Sequence, residues 1–172
     1  QIIKDFSRKF GSSTIVIAIE AIKQSDGTYL AYTDNGREYT GVKVFDWAKK
    51  VEELGAGEIV ITSVDREGTG IGFDIDLVTK VSNSISIPVI AHGGAGNAMD
   101  IQNVIQKANA DAVAISSILH YDHINSNRSI QSAQKEGNTE FLRSGSTFNK
   151  INPCNLQEIK DELIEQNICC RN

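Results

Sequence analysis

Apolar residues gather in short runs separated by polar stretches of changing period. Residues 14–21 read TIVIAIEA, residues 58–64 read EIVITSV, PVIA begins at Pro88, and residues 111–116 read DAVAIS. Short runs of this kind, rich in β-branched residues, predict strands. The missing polar alternation predicts burial on both faces, as in a parallel sheet. Between the runs the period becomes helical. Val44, Trp47, Ala48, Val51 and Leu54 share one stripe, and Gly55 supplies a stop. Asp74 predicts the cap of a helix over 75–83 with Leu77, Val78 and Val81 turned inward. Residues 97–108 predict another helix, and residues 1–10 the end of one stopped by Gly11. A last helix is predicted over 155–167, with Leu156, Ile159, Leu163 and Ile164 on its stripe. Asn155 and Glu158 are spaced there as a capping box. Asp34-Asn35-Gly36 between Thr- and Tyr-rich flanks predicts a hairpin over about residues 28–40. Residues 122–153 are rich in Ser, Asn, Gln and Gly, and predict a long surface excursion. Strand and helix alternate four times. That order predicts a parallel α/β protein, either a barrel or a doubly wound sheet.

Composition narrows the function classes. The chain has 172 residues, 40% hydrophobic and 23% charged, which suits one globular domain. Lys and Arg number 17 against 22 Asp and Glu, a net charge of -5. An acidic chain of this kind is a poor nucleic-acid binder. No apolar run is long enough to cross a membrane as a helix, and no signal-peptide pattern is visible. Cys154, Cys169 and Cys170 are an odd set near the C-terminus and make no disulfide framework. The expected location is therefore a reducing cytoplasm, with neither nucleic acid nor membrane as partner.

In parallel α/β folds chemistry sits at the C-terminal ends of strands. Four such ends are nameable here: Glu20, Asp65 with its loop to Gly72, His92-Gly93-Gly94, and Ser116-Ser117 with His120. A carboxylate in an apolar strand must be paired, solvated or shifted in pKa. Glu20 is thus either an acid/base group or a structural carboxylate bonded to Lys23 or a neighbouring strand. Asp65 is either catalytic or a loop cap. The turn from His92 to Gly96 predicts a phosphate site, because glycines admit close approach and a helix N-terminus adds donors. The same turn also reads as a plain strand–helix connection. His120 and His123 read as surface histidines, and no spacing of His, Cys and Asp suggests a metal site. No cofactor is expected.

Several motifs together resemble one family, the cyclase subunit of imidazole glycerol phosphate synthase. They are GAGEIVITSVDREGTGIGFD (55–74), IPVIAHGGAGN (87–97) and ADAVAISSILHYD (110–122), supported by FGSSTIVIAIEA (10–21). The sister isomerase family shares the barrel and the Gly-rich turns, but TSVDREGT favours the cyclase. The resemblance covers about residues 1–122, and the last helix also fits. It implies a (βα)8 TIM barrel that takes ammonia from a glutaminase partner. The barrel would form imidazole glycerol phosphate and an aminoimidazole carboxamide ribotide from a substrate phosphorylated at both ends. On that resemblance Glu20 and Asp65 are the catalytic candidates, and Gly93, Gly94, Ser116 and Ser117 hold a substrate phosphate. Thr62, Glu67, Thr69 and His92 are further active-site candidates, and Glu58 falls where the family has a charged ammonia gate.

Two residues depart from the pattern. Glu20 stands where the family has Asp, which moves the carboxylate by over an ångström, and misplacement of that order can cost about a hundredfold in rate. His92 stands where the family usually has Ser. A full barrel needs about 250 residues. This chain is therefore expected to be its C-terminal half, strands five to eight, with a polar insertion at about 123–154. The half would complete itself with the missing N-terminal half-barrel or a second copy. Two alternatives stand beside the cyclase: a paralogue delivering ammonia to a nucleotide sugar in surface-polysaccharide biosynthesis, and a non-catalytic half-barrel that binds a phosphorylated ligand.

Overall fold

The computed structural model describes residues 1–126 and 150–171. The strands are β1 (Val16–Lys23), β2 (Tyr29–Thr33), β3 (Glu38–Lys43), β4 (Glu58–Ser63), β5 (Val89–His92) and β6 (Ala112–Ala114). The helices are α1 (Ile2–Phe10), α2 (Val44–Glu53), α3 (Ile75–Ser82), α4 (Ala98–Ala108), α5 (Ser117–Ser126) and α6 (Leu156–Glu165). One sheet runs in the order β3-β2-β1-β4-β5-β6. The four strands from β1 to β6 on its long side are parallel, and β2 and β3 form an antiparallel hairpin on the edge of β1. That hairpin is the one predicted at Asn-Gly. Its turn runs through Asp34, Asn35 and Gly36, all at positive φ, the conformation that Asn and Gly tolerate.

The core lies on one face of the sheet. Ile19, Ala21, Ile59, Ile61, Val89 and Ala91 are buried there. Against them pack Val44, Ala48 and Val51 of α2, Leu77, Val78 and Val81 of α3, and Ile101, Val104 and Ala108 of α4. The alternate residues Val16 and Ala18 are exposed, and Val60 and Ile90 only half-buried. Burial on both faces is therefore corrected. Among the described residues helices cover one face, and the two-residue strand period sends every second side chain to the open one. A doubly wound sheet would be covered on both sides. The observed layering is that of a partial TIM-type barrel.

Other boundaries shift by a few residues. β1 starts at Val16, because Ser12–Thr14 forms a 3-10 turn held by Ile15 N–H donating to Ser12 O. β6 is three residues long and not the six of DAVAIS. Residues 123–126 belong to α5 and not to a polar excursion, since Ile118 is fully buried and anchors that helix by packing that polar composition does not reveal. Residues 127–149 of the expected insertion lie outside the described residues. At its end Ile151 is buried, and Asn152 N–H donates to Gly96 O at 2.7 Å. The α6 capping box is complete, with both bonds between Asn155 and Glu158 made. Of its stripe only Ile159 and Leu163 are buried, while Leu156 and Ile164 face solvent; α6 packs against α4 at the margin of the core.

One buried polar contact joins the hairpin to the helix layer. Asp74 accepts from Leu77 N at 3.1 Å, capping α3, and from the Tyr29 hydroxyl at 3.0 Å. Burial, then the Asp74 charge, push the Tyr29 phenol above the ordinary tyrosine range. Asp74→Ala removes the cap and leaves a buried hydroxyl without its partner. It should cost about 2–4 kcal/mol in urea unfolding. Above about pH 10 the unfolded chain releases the tyrosine proton that the folded protein keeps. Stability is then lost as pH rises, and Tyr29→Phe should remove that part of the loss in unfolding curves recorded from pH 8 to 11.

Candidate functional site

The parallel register lines up one row of side chains at the C-terminal ends of the strands. Glu20 pairs with Thr62, Thr62 with His92, and His92 with Ala114. All four are on the open face. Neighbouring strands lie about 4.8 Å apart, so Glu20 and His92 stand roughly 10 Å apart with Thr62 between them. Thr62 Oγ1 lies 3.0 Å from His92 Nδ1. This bond orients the imidazole and leaves Nε2 as the nitrogen with no partner in the described residues.

Glu20 has neither partner that the sequence suggested. Lys23 instead lies 3.7 Å from Asp76, and no strand donates to the Glu20 carboxylate. Its Oε2 accepts from the backbone N–H of Gly36, in the hairpin turn, at 2.9 Å. The turn folds back far enough that a Cβ on Gly36 would come within 2.7 Å of Val64. The hairpin thus supplies a donor to the carboxylate as well as an edge to the sheet. The Asn-Gly signal revealed the turn; what the turn touches was not legible.

The loop after β4 ties to β1 and to the Gly-rich turn. Asp65 is exposed, and its Oδ2 accepts from Lys23 N at 2.9 Å, a loop-capping bond. Thr69 Oγ1 donates to Arg66 O at 2.6 Å and shapes the loop from within. Gly72 N–H donates to Gly94 O at 2.8 Å. Glu67 is the loop carboxylate that reaches the pocket beside the Gly-rich turn. That pocket, about 170 Å³, lies between the β5–α4 and β6–α5 turns. Its walls include Glu67, His92, Gly93, Gly94, Ser116 and Ser117. Gly93 and Gly94 have φ of 90° and 110°. At Gly93 a Cβ would come within 2.6 Å of Ser63 O.

Asp100 accepts from Gly96 N and Asn97 N, and Asn97 accepts from Asp100 N, so the capping box of α4 occupies the N–H groups of Gly96, Asn97 and Asp100. In α5 the first ladder bond runs from His120 N to Ser116 O. The N–H groups of Ser117, Ile118 and Leu119 precede it and have no partner among the described residues, Ser117 lines the pocket, and the positive helix end lies behind it. The Ser116 and Ser117 hydroxyls, the Ser117 N–H and the open His92 Nε2 suit an oxyanion. No group of side chains among the described residues suits a metal ion.

Glu58 sits at the other end of the sheet. It opens β4 opposite Val16, half-buried, and its carboxylate has no hydrogen bond or ion pair with the described residues. It shares the open face with Val60 and Thr62, about 13 Å from the row of Glu20 at the strand rise. Cys154, Cys169 and Cys170 are free thiols, and burial pushes the Cys154 thiol up.

Comparison with known proteins follows this geometry. Residues 1–125 match the family model described as histidine biosynthesis protein. The chain is 50% identical over 121 residues to the imidazole glycerol phosphate synthase subunit HisF of Prochlorococcus marinus (strain MIT 9215), covering 69% of this chain and 47% of that protein. It is 43% identical over 130 residues to the same subunit of Alkaliphilus metalliredigens (strain QYMF), covering 76% and 52%. With the subunit of Streptococcus mutans serotype c (strain ATCC 700610 / UA159) it shares 42% over 124 residues, covering 72% and 49%. The chain spans about half the length of the curated relatives it matches.

The Gly93 turn tolerates no side chain. Gly93→Ala should cost about 1–3 kcal/mol from backbone conformation alone, read in urea unfolding. It should also abolish the saturable movement of the Gly94 and Ser117 amides when inorganic phosphate is titrated in.

Proposed function

Because the chain belongs to the histidine biosynthesis protein family, we propose that it is the C-terminal half of a (βα)8 cyclase of imidazole glycerol phosphate synthase. The observation that carries this reading is the row Glu20–Thr62–His92 on the open face beside the pocket of Gly93, Gly94, Ser116 and Ser117. In this reading the strand ends carry acid/base groups and an oxyanion cradle on one side of one sheet, which their shared face supports. A substrate with a terminal phosphate, anchored in that cradle, would lay its reacting atoms along the row.

The reaction joins ammonia to a phosphoribulosyl-formimino-carboxamide ribonucleotide. It forms two carbon–nitrogen bonds to the ammonia nitrogen, expels the ketone oxygen as water and breaks one carbon–nitrogen bond to release the ribotide, so protons leave the incoming nitrogen and reach the departing oxygen and nitrogen. Glu20 and Asp65 are the proposed proton carriers, with Glu67 closer to the phosphate end. Glu20 is held by Gly36 N–H and so keeps one oxygen for substrate. His92 Nε2 is a further donor to phosphate, with Thr62 fixing the ring. A glutaminase would dock at the N-terminal mouth, where Glu58 gates ammonia into the barrel along the open face. The other phosphate site and the remaining strands would come from the N-terminal half of the barrel. A cytoplasmic setting fits this pathway. No helix among the described residues is long and apolar enough to cross a membrane.

Glu20 and His92, the two departures from the family pattern, favour a second reading. In it the same barrel passes ammonia to a different acceptor, a nucleotide sugar. The full-length natural protein, supplied with ammonium and the histidine-pathway substrate, separates the two. Turnover supports the cyclase, and none on that substrate supports the paralogue. Under the cyclase reading Glu20→Gln should lower kcat by about 10²–10⁴-fold with KM little changed. Unchanged turnover in that variant would mean a non-catalytic row.

A further inference from the structure

The hairpin extends the row on the open face beyond Glu20. Tyr32 is the register partner of Glu20 across β1 and β2, and Tyr39 is the partner of Tyr32 across β2 and β3. Register partners send their side chains to one face of a sheet. Both tyrosines therefore stand on the face of Glu20, Thr62 and His92, at the end of the row away from His92. Their rings meet edge to face, with centroids 5.7 Å apart and planes at 68°. The Tyr39 ring also lies over the backbone of Gly41, where a Cβ would touch it at 3.7 Å. β3 runs parallel to β1, since each is antiparallel to β2. Leaning from Tyr39 toward Gly41 thus carries the ring toward the C-terminal end of β1, where the proposed acid/base groups stand.

Two features set this pair apart from ordinary hairpin packing. A cross-strand aromatic pair stabilises a hairpin through the surface it buries. Tyr32 is half-buried and supplies such surface, yet Tyr39 stays 65% exposed, so most of its ring is open to a ligand. The second feature is the group beside the rings. Gly36 N–H holds Glu20 Oε2 at 2.9 Å, which leaves Oε1 as an acceptor next to Tyr32. An open aromatic ring with a carboxylate oxygen beside it suits a planar ring that carries an N–H donor. Tyr32 is three strands from His92, roughly 15 Å at the usual strand spacing. An extended ligand with a phosphate in the Gly93–Ser117 pocket can lay a ring at the tyrosines, as the two-ended substrate of the proposed reaction would.

We infer that Tyr32 and Tyr39 form a stacking platform for the planar heteroaromatic ring of a nucleotide substrate, beside Glu20 and at the far end of the row from the Gly93–Ser117 pocket. The inference rests on the reading that the row binds such a substrate, and its test needs no turnover. Aminoimidazole carboxamide ribotide, and ribose 5-phosphate as its ringless counterpart, are titrated into the full-length natural protein carrying carbon-13 on its tyrosine rings. Tyr29, buried on the covered face, is the internal control. The expected result is saturable movement of the Tyr32 and Tyr39 ring signals with the ribotide alone. Tyr39→Leu should weaken ribotide binding about tenfold by calorimetry and leave ribose 5-phosphate binding as before, and Tyr39→Phe should retain the affinity. Tyr32 and Tyr39 rings that stay still at every ribotide concentration would overturn the platform, whatever the turnover. So would equal weakening of both ligands in Tyr39→Leu, or the same loss in Tyr39→Phe. Moving rings without turnover of the histidine-pathway substrate would uphold the platform and overturn the cyclase reading alone.

Discussion

One-sided burial of the sheet governs everything else in this molecule. Among the described residues the helices cover the face of Ile19, Ile61 and Ala91 and leave the other open. Strand alternation then sends Glu20, Thr62 and His92 to the other face as a matter of geometry, because their in-register neighbours face the same way. The same alternation puts Glu58 on that face at the opposite end. A carboxylate inside an apolar run is costly only if the run is buried on both sides. Here it is not, and Glu20 is half-buried with a backbone donor.

Around the row, backbone turns do the positioning. Gly36 aims its N–H at Glu20, and Gly93 and Gly94 let the pocket form where any Cβ would strike backbone. The N-terminus of α5 adds donors beside the pocket, while the capping box of α4 occupies those of Asn97 and Asp100. Anion binding and helix capping compete for the same N–H groups, and the capping residues decide which helix is left open.

The loop 65–72 couples these parts. It is tied to β1 through Asp65 and Lys23, and to the Gly-rich turn through Gly72 and Gly94. Beyond it, Tyr29 and Asp74 lock the edge hairpin to α3. The loop thus has fixed ends and two faces, and its successive residues Arg66 and Glu67 look into different cavities.

Much of this was legible along the chain. Apolar runs located the four parallel strands, Asn-Gly the hairpin, Asp74 the cap of α3, and Asn155 with Glu158 the closing capping box. These are local signals, in which a residue's own neighbours determine its backbone. The set of chemical residues at strand ends was also legible, since parallel topology says where such ends gather. Tertiary structure alone decided the rest. It divided the run 14–21 into a covered and an open face and gave Glu20 to Gly36 in place of Lys23. It also turned Asp65 to a strand end and brought Glu67 to the pocket, and it made α5 a helix through the burial of Ile118. Each of these depends on contacts between segments far apart in the chain. A residue's local pattern carries no record of which distant donor or apolar surface will meet it.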